Sequence, residues 1–136
     1  EVAKTQSDTY ILSADTVVGV GRRILPKSED IDTARDCLAL LSGRAHRVYT
    51  GVCLLTPDGQ QIARVVETRL KMKRLSRQEM DMYLTSKEWD GKAGGYGIQG
   101  LAGAFISHIS GSYSNVVGLP IYETRNMLIG AQYLNG

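Results

Sequence analysis

The sequence predicts an α/β domain, a mixed sheet flanked by helices with some antiparallel pairing. Three observations predict it. Apolar runs of strand type alternate with segments of helical periodicity, in the order strand, helix, strand hairpin, helix, strand, helix. A Pro57-Asp58-Gly59 turn signal joins two strand-like runs into a hairpin. Two of the helical segments open on recognisable caps. At 136 residues, with 43% apolar and 22% charged residues, residues 1–136 read most simply as a single domain. A chain of this length buries a core without disulfides or metals.

Each element has its own warrant. Tyr10 to Val20 is rich in Val, Ile and Leu and reads as a strand buried on both faces, interrupted by Asp15 and Thr16. Gly21-Arg22-Arg23 is a turn, and Ile24 to Ser28 leads into a helix. Asp30 is its N-cap, Ile31, Ala34, Leu38 and Leu41 form its apolar stripe, and Gly43 stops it. Val48 to Thr56 is a second strand, apolar on both faces. Along the return strand, Ile62 to Leu75, the apolar residues Ile62, Val66, Leu70 and Met72 alternate with Glu67, Arg69, Lys71 and Lys73. Ser76-Arg77-Gln78-Glu79 is a capping box for a helix through about Ser86. A glycine loop follows, then a strand from Leu101 to Ser110. Pro120 takes the first position of a last helix whose inner stripe is Ile121, Thr124, Leu128 and Ala131.

Composition excludes several function classes. A net charge of +2 is too small to argue for nucleic acid. The basic row Arg69, Lys71, Lys73 and Arg74 lacks the aromatic residues on which bases stack, so no nucleic-acid partner is expected. No apolar run approaches the ~18 residues of a membrane span. Cys37 and Cys53 have no metal-type spacing and read as reduced core residues of a cytoplasmic protein. His46 and His108 lie in strand contexts and read as core or edge residues, so a serine triad is poorly supported. The chain opens on Glu1 and soon enters an apolar strand, as the middle of a protein would.

The chemistry gathers around Lys92-Ala-Gly-Gly-Tyr-Gly-Ile-Gln-Gly100, with four glycines in nine residues. Glycine lets a backbone take positive φ and approach a ligand. Tyr96, Ile98 and Gln99 are anchors that a flexible linker lacks. Asp15 is a carboxylate inside an apolar strand, expensive unless it is paired or used. Lys27 and Lys92 are lysines near turns, suited to phosphate charge. Gln99 offers an amide that reads a base edge through a donor and an acceptor. A carboxylate holds Mg²⁺ or takes a proton from water. Together these residues suit a phosphorylated substrate.

Ser13-Ala-Asp-Thr-Val-Val18, Leu40-Leu-Ser-Gly-Arg44 with Val48-Tyr-Thr-Gly51, the glycine loop and Gly118-Leu-Pro120 occur in one order and spacing. From about Tyr10 to the C-terminus this set resembles the Maf family, nucleoside triphosphate pyrophosphatases once described as septum formation inhibitors. The tyrosine-containing loop with its Gln resembles the dTTP/UTP branch. The resemblance implies a Maf/ITPase-like fold with a nucleotide-binding cleft. It implies attack of water on the α-phosphorus, releasing a monophosphate and pyrophosphate, with Mg²⁺ or Mn²⁺ as the divalent cofactor. It makes Asp15 the proton acceptor and metal ligand, Lys27 a catalytic residue facing the phosphates, and Thr16, Lys92 and Gln99 substrate-binding residues. It also implies a homodimer. The family's lysine motif reads Gly-Lys-Pro, whereas here it is Pro26-Lys27-Ser28. Its Ser-x-Ser-Pro-Arg loop has no counterpart, since the chain holds no Ser-Pro pair. The expectation is therefore that the N-terminal lobe is missing from this chain. A non-catalytic nucleotide-binding or cell-division regulatory module is the alternative reading.

Overall fold

The structure is a computed structural model that describes residues 9–134. Its central sheet is built on three long strands, β1 (Ile11–Val20), β4 (Ala45–Leu55) and β5 (Gln61–Met72). The short β2 (Arg23–Leu25) and β7 (Ile106–Ser110) close its edges. The strand order is β2-β1-β4-β5-β7, and every pairing is antiparallel. The Pro57-Asp58-Gly59 turn joins β4 to β5 as expected. The Thr56 hydroxyl donates to the Asp58 carboxylate there, and Gly59 takes φ +89°.

Alternation gives the sheet two unlike faces. On β4, His46, Val48, Thr50, Val52 and Leu54 are buried; on β5, Thr68, Leu70 and Met72 are buried while Glu67, Arg69 and Lys71 are exposed. The described helices cover the first face. α1 (Ile31–Leu41) buries Ala34, Cys37, Leu38 and Leu41 against Val18, Val20, Val48 and Leu70. Asp30 caps it by accepting from the Thr33 amide at 2.8 Å, and Gly43 follows at φ +73°. α2 (Arg77–Ser86) carries the full capping box. The Glu79 amide donates to Ser76 Oγ, and the Ser76 amide donates to the Glu79 carboxylate. α3 (Tyr113–Val117) and α4 (Ile121–Gly130) lie over the middle and far end of β4 and β5.

Several sequence expectations change. β1 is not buried on both faces. Only Val18 and Val20 are buried; Ile11, Asp15 and Val17 are exposed because no described element covers the second face of the sheet, and Leu12, on the helix-covered face opposite Leu54, is exposed as well. β4 is buried on one face; on the other, Ala45 and Arg47 are exposed and the alternate residues from Tyr49 to Leu55 are half-buried. Ile24 to Ser28 forms β2 and a two-residue strand, β3 (Lys27–Ser28), rather than a simple lead into the helix. Residues Leu101–Phe105 form a 3-10 helix, so that only Ile106–Ser110 is strand. A Cβ on Gly103 would collide with the backbone carbonyl of Ile98, which ties this turn to the loop before it. α3 was not foreseen. Pro120 is the N-cap of α4 with ψ 103°, not its first helical residue. The inner stripe of α4 is Thr124 and Met127, with Leu128 and Ala131 packed beside it; Ile121 is exposed. The histidines follow their expectation, His46 in the core and His108 exposed on the edge strand β7. Cys37 is buried and Cys53 half-buried, both free.

Candidate functional site

The glycine loop is held to the Lys27 strand by a small second sheet. β3 pairs with β6 (Lys92–Ala93), setting Lys27 opposite Ala93 and Ser28 opposite Lys92. Ser28 is fully buried, and its hydroxyl donates to the Trp89 carbonyl at 2.6 Å. The amides of Gly91 and Gly94 donate to the carbonyls of Ser28 and Pro26. These bonds satisfy buried backbone groups and fix the loop at both ends of β3.

Between this loop and β1 lies a cleft of ≈ 700 Å³. Asp15, Thr16, Lys27, Lys92 and Gln99 all line it. They come from β1, β3, β6 and the loop itself, so the fold brings together all five residues singled out in the sequence. The cleft opens along β1 because β2 pairs only with Val18–Val20. Among the described residues, the edge from Ile11 to Val17 carries no partner on that side.

The two β1 residues reach the cleft differently. Thr16 lies on the covered face, half-buried. Its hydroxyl meets that of Thr50 at 2.9 Å. Thr50 in turn donates to the Asn115 carbonyl at 3.1 Å. Asn115 is fully buried and its side-chain amide donates to the carbonyls of Val48 and Val66 and to the Thr68 hydroxyl. This network fixes α3 on the sheet, and α3 supplies Val116 and Val117 to the cleft wall. Asp15, one residue earlier, belongs by alternation to the opposite, exposed face. The expectation of a buried carboxylate is therefore corrected: Asp15 stands in water at the open strand edge.

The loop's glycines have a second purpose. Gly94 and Gly95 are buried with φ of +69° and +83°. A Cβ on Gly94 would lie 3.0 Å from Val18, and one on Gly95 would lie 3.3 Å from Cys37. These two glycines let the loop press onto β1 and α1. Tyr96 and Ile98 are buried anchors, as their sequence reading implied. The Tyr96 hydroxyl meets His46 Nε2 at 2.6 Å inside the core, with the two rings edge to face. Burial holds His46 down to about 4, so the ring is neutral at pH 7. Burial likewise pushes the Tyr96 hydroxyl well above its ordinary value. The loop is thus clamped through a neutral pair, while Gln99 stays exposed in the cleft. The aliphatic part of Lys92 lies against Gly97, 3.3 Å from where a Cβ would be.

The sequence reading missed the segment before the loop. Lys87, Glu88 and Asp90 also line the cleft. Lys87 ends α2 in the left-handed conformation at φ 62°, and Glu88 accepts from the Leu101 amide at 2.9 Å, its carboxylate seated against Gly100. A cluster of charged residues directly before a glycine loop was the available signal. Thr50, Asn115 and His46 left no signal, since their roles come from cross-strand contacts. Among the described residues no three His, Cys, Asp or Glu side chains gather as a metal cage. The carboxylates of Asp15, Glu88 and Asp90 on one cleft fit a divalent ion of another kind, one bound through one or two carboxylates plus substrate phosphates and water. No described helix is long and apolar enough to cross a membrane.

The family model described as Maf-like protein matches residues 1–131. A dTTP/UTP pyrophosphatase of Maricaulis maris is 62% identical over 126 residues, which is 93% of this chain and 61% of that protein. Proteins of the same name from Mesorhizobium japonicum and Brucella abortus are 60% and 59% identical, over 90% and 93% of this chain and 59% and 61% of their own lengths. The chain thus spans about three fifths of the length of the curated relatives it matches.

Proposed function

The chain belongs to the Maf family, and on that premise we propose that it carries the cleft of a nucleoside triphosphate pyrophosphatase acting on dTTP and UTP. The observation that supports this reading most is the convergence of Asp15, Thr16, Lys27, Lys92 and Gln99 on one cleft. The reaction is attack of water on the α-phosphorus, with pyrophosphate as leaving group. Asp15 accepts the proton of the attacking water; its exposure leaves it open to water and solvent ions. Lys27 and Lys92 offset the phosphate charge, which is most of what phosphoryl-type transfer needs from a protein. Thr16 and Gln99 contact the base, Gln99 through its paired donor and acceptor. Asp15, with substrate phosphates, is the residue to hold Mg²⁺ or Mn²⁺, which supplies further charge neutralisation when bound. We further propose a cytoplasmic homodimer, its 1–136 region a single domain, with the link to septum formation that the family's older description suggests.

The test is pyrophosphate release from dTTP and UTP by the intact protein with Mg²⁺ or Mn²⁺, beside calorimetry with a non-hydrolysable analogue. Asp15→Asn should lower turnover by about a hundredfold or more while leaving analogue affinity near its original value. Unchanged turnover in that variant removes Asp15 from its role. Analogue binding without any turnover by the intact protein favours the non-catalytic binding module instead.

A further inference from the structure

The face of the sheet that no described element covers carries a second depression, of ≈ 390 Å³, that shares no lining residue with the cleft. Its lining includes Arg22, Arg23, Arg44, Arg47 and Arg69. Five of the chain's ten arginines thus meet at one place, and none of its lysines does, although the chain's net charge is only +2.

The strand register builds the site. Ile24, Gly19, Arg47 and Arg69 form one row across β2, β1, β4 and β5. Gly19 has no side chain, so the row is hollow at β1. The side chains of Ile24 and Tyr49 border the hollow, each 3.5 Å from where a Cβ on Gly19 would be. The next row begins with Ala45, which keeps the floor low toward Arg44. At the rim, Gly21 turns the β1–β2 hairpin at φ +58°, and the Arg44 guanidinium lies 3.1 Å from where a Cβ on Gly21 would be. That close approach brings Arg44 to the hairpin that carries Arg22 and Arg23.

Charge then points to the ligand. Arg47 and Arg69 stand directly opposite each other, and like charges in that relation repel. Arg47 is paired with Glu67 at 3.2 Å, and no ion pair of Arg22, Arg23, Arg44 or Arg69 is found among the described residues. Guanidinium groups bind phosphate and carboxylate oxygens in two-pronged fashion, which ammonium groups do not. We propose that this depression is a second anion site, for a chain of phosphates such as a polyphosphate or the phosphate tail of a nucleotide. Its volume suits a few linked phosphates, and of the two rings lining it His46 is buried against Tyr96, which leaves only Tyr49 and disfavours a bound stretch of single-stranded nucleic acid.

The test uses inorganic tripolyphosphate with the intact protein, by calorimetry at low salt. The expected result is binding that persists when a non-hydrolysable dTTP analogue fills the cleft. It should weaken at least about tenfold in Arg44→Gln/Arg69→Gln, and also weaken measurably in Arg44→Lys/Arg69→Lys, where charge is kept but the fork is lost. Lys27→Gln/Lys92→Gln should leave it unchanged. Loss of binding in the lysine variant with retention in the arginine variants overturns the proposal by assigning the anion to the cleft. Full affinity in Arg44→Lys/Arg69→Lys also overturns it, since a bare field of charge is then enough. Weaker binding that RNA oligonucleotides outcompete at equal phosphate concentration assigns the face to nucleic acid and overturns it too. Thermal melts verify folding of each variant. The readout is binding, so an intact protein without pyrophosphatase activity would refute the cleft's function and leave this result standing.

Discussion

The buried His46–Tyr96 pair makes the stability of this fold depend on pH in a calculable way. His46 is 2% exposed, and burial lowers it from 6.5 to about 4. The folded chain therefore keeps the ring neutral where the unfolded chain protonates it. Stability is fully present above pH 6.5 and is lost as pH falls from 6.5 toward 4. At about 1.4 kcal/mol per pH unit, the loss reaches about 2 kcal/mol near pH 5 and about 3 kcal/mol near the folded value. The carboxylates of Asp30, Asp58 and Glu79 are held below their ordinary values of 3.8, 3.8 and 4.5 by hydrogen bonds, so their loss comes mostly at lower pH. The window between pH 6.5 and 5 thus isolates His46. Urea unfolding at pH 7.5 and pH 5 should show the difference in the original chain and lose most of it in His46→Gln, which retains a partner for the Tyr96 hydroxyl. An equal pH dependence in both proteins would refute the reasoning.

Three further perturbations test the site's supports. Asn115→Ala removes the amide that serves Val48, Val66 and Thr68, and should cost about 3 kcal/mol in chemical denaturation, with Asn115→Asp no better. Gly94→Ala combines positive φ with a 3.0 Å approach to Val18; it should cost about 2 kcal/mol and raise the nucleotide KM by moving the loop, as unfolding curves and kinetics would show. Thr16→Val keeps the shape but breaks the hydroxyl pair with Thr50; nucleotide KM should rise more than kcat falls, which steady-state kinetics with dTTP and UTP would separate.

What could be read from the sequence was what is local. The Ser76–Glu79 capping box, the Asp30 cap and the alternation along β5 each depend on residues a few positions apart, and each is present. Local signals failed where distant chain decides. β3 and β6 are two residues each and exist because they find one another across more than sixty residues. The apolar residues of Leu101–Phe105 suit a strand or a 3-10 turn equally; its proximity to the Ile98 carbonyl excludes a side chain at Gly103. The glycine count points to a ligand-facing loop, and the loop does line the cleft, but the count has a second cause. Gly94 and Gly95 serve packing against Val18 and Cys37, and only the other side of the loop faces the cleft. The cost of burying a carboxylate points to Asp15, yet Asp15 is exposed, because the apolar run of β1 does not reveal which face of the strand is covered.

The exposure of Asp15 follows from the same geometry that gives the cleft its two walls. Asp15 and Thr16 are adjacent, and alternation sends them to opposite faces of β1. In the middle of a sheet two such residues could not touch one ligand, because hydrogen-bonded neighbours would stand on both sides of the strand. Here the pairing of β1 with β2 stops at Val18, so the strand edge at Asp15 and Thr16 is open among the described residues. A ligand lying along that edge meets Thr16 on one side and Asp15 on the other, with Lys27, Lys92 and Gln99 across the gap. The short length of β2 is therefore what lets both residues of the Ala-Asp-Thr sequence line one cleft. Extending that hairpin by two paired residues would close the edge and separate the carboxylate from the hydroxyl, while leaving both residues and their motif intact.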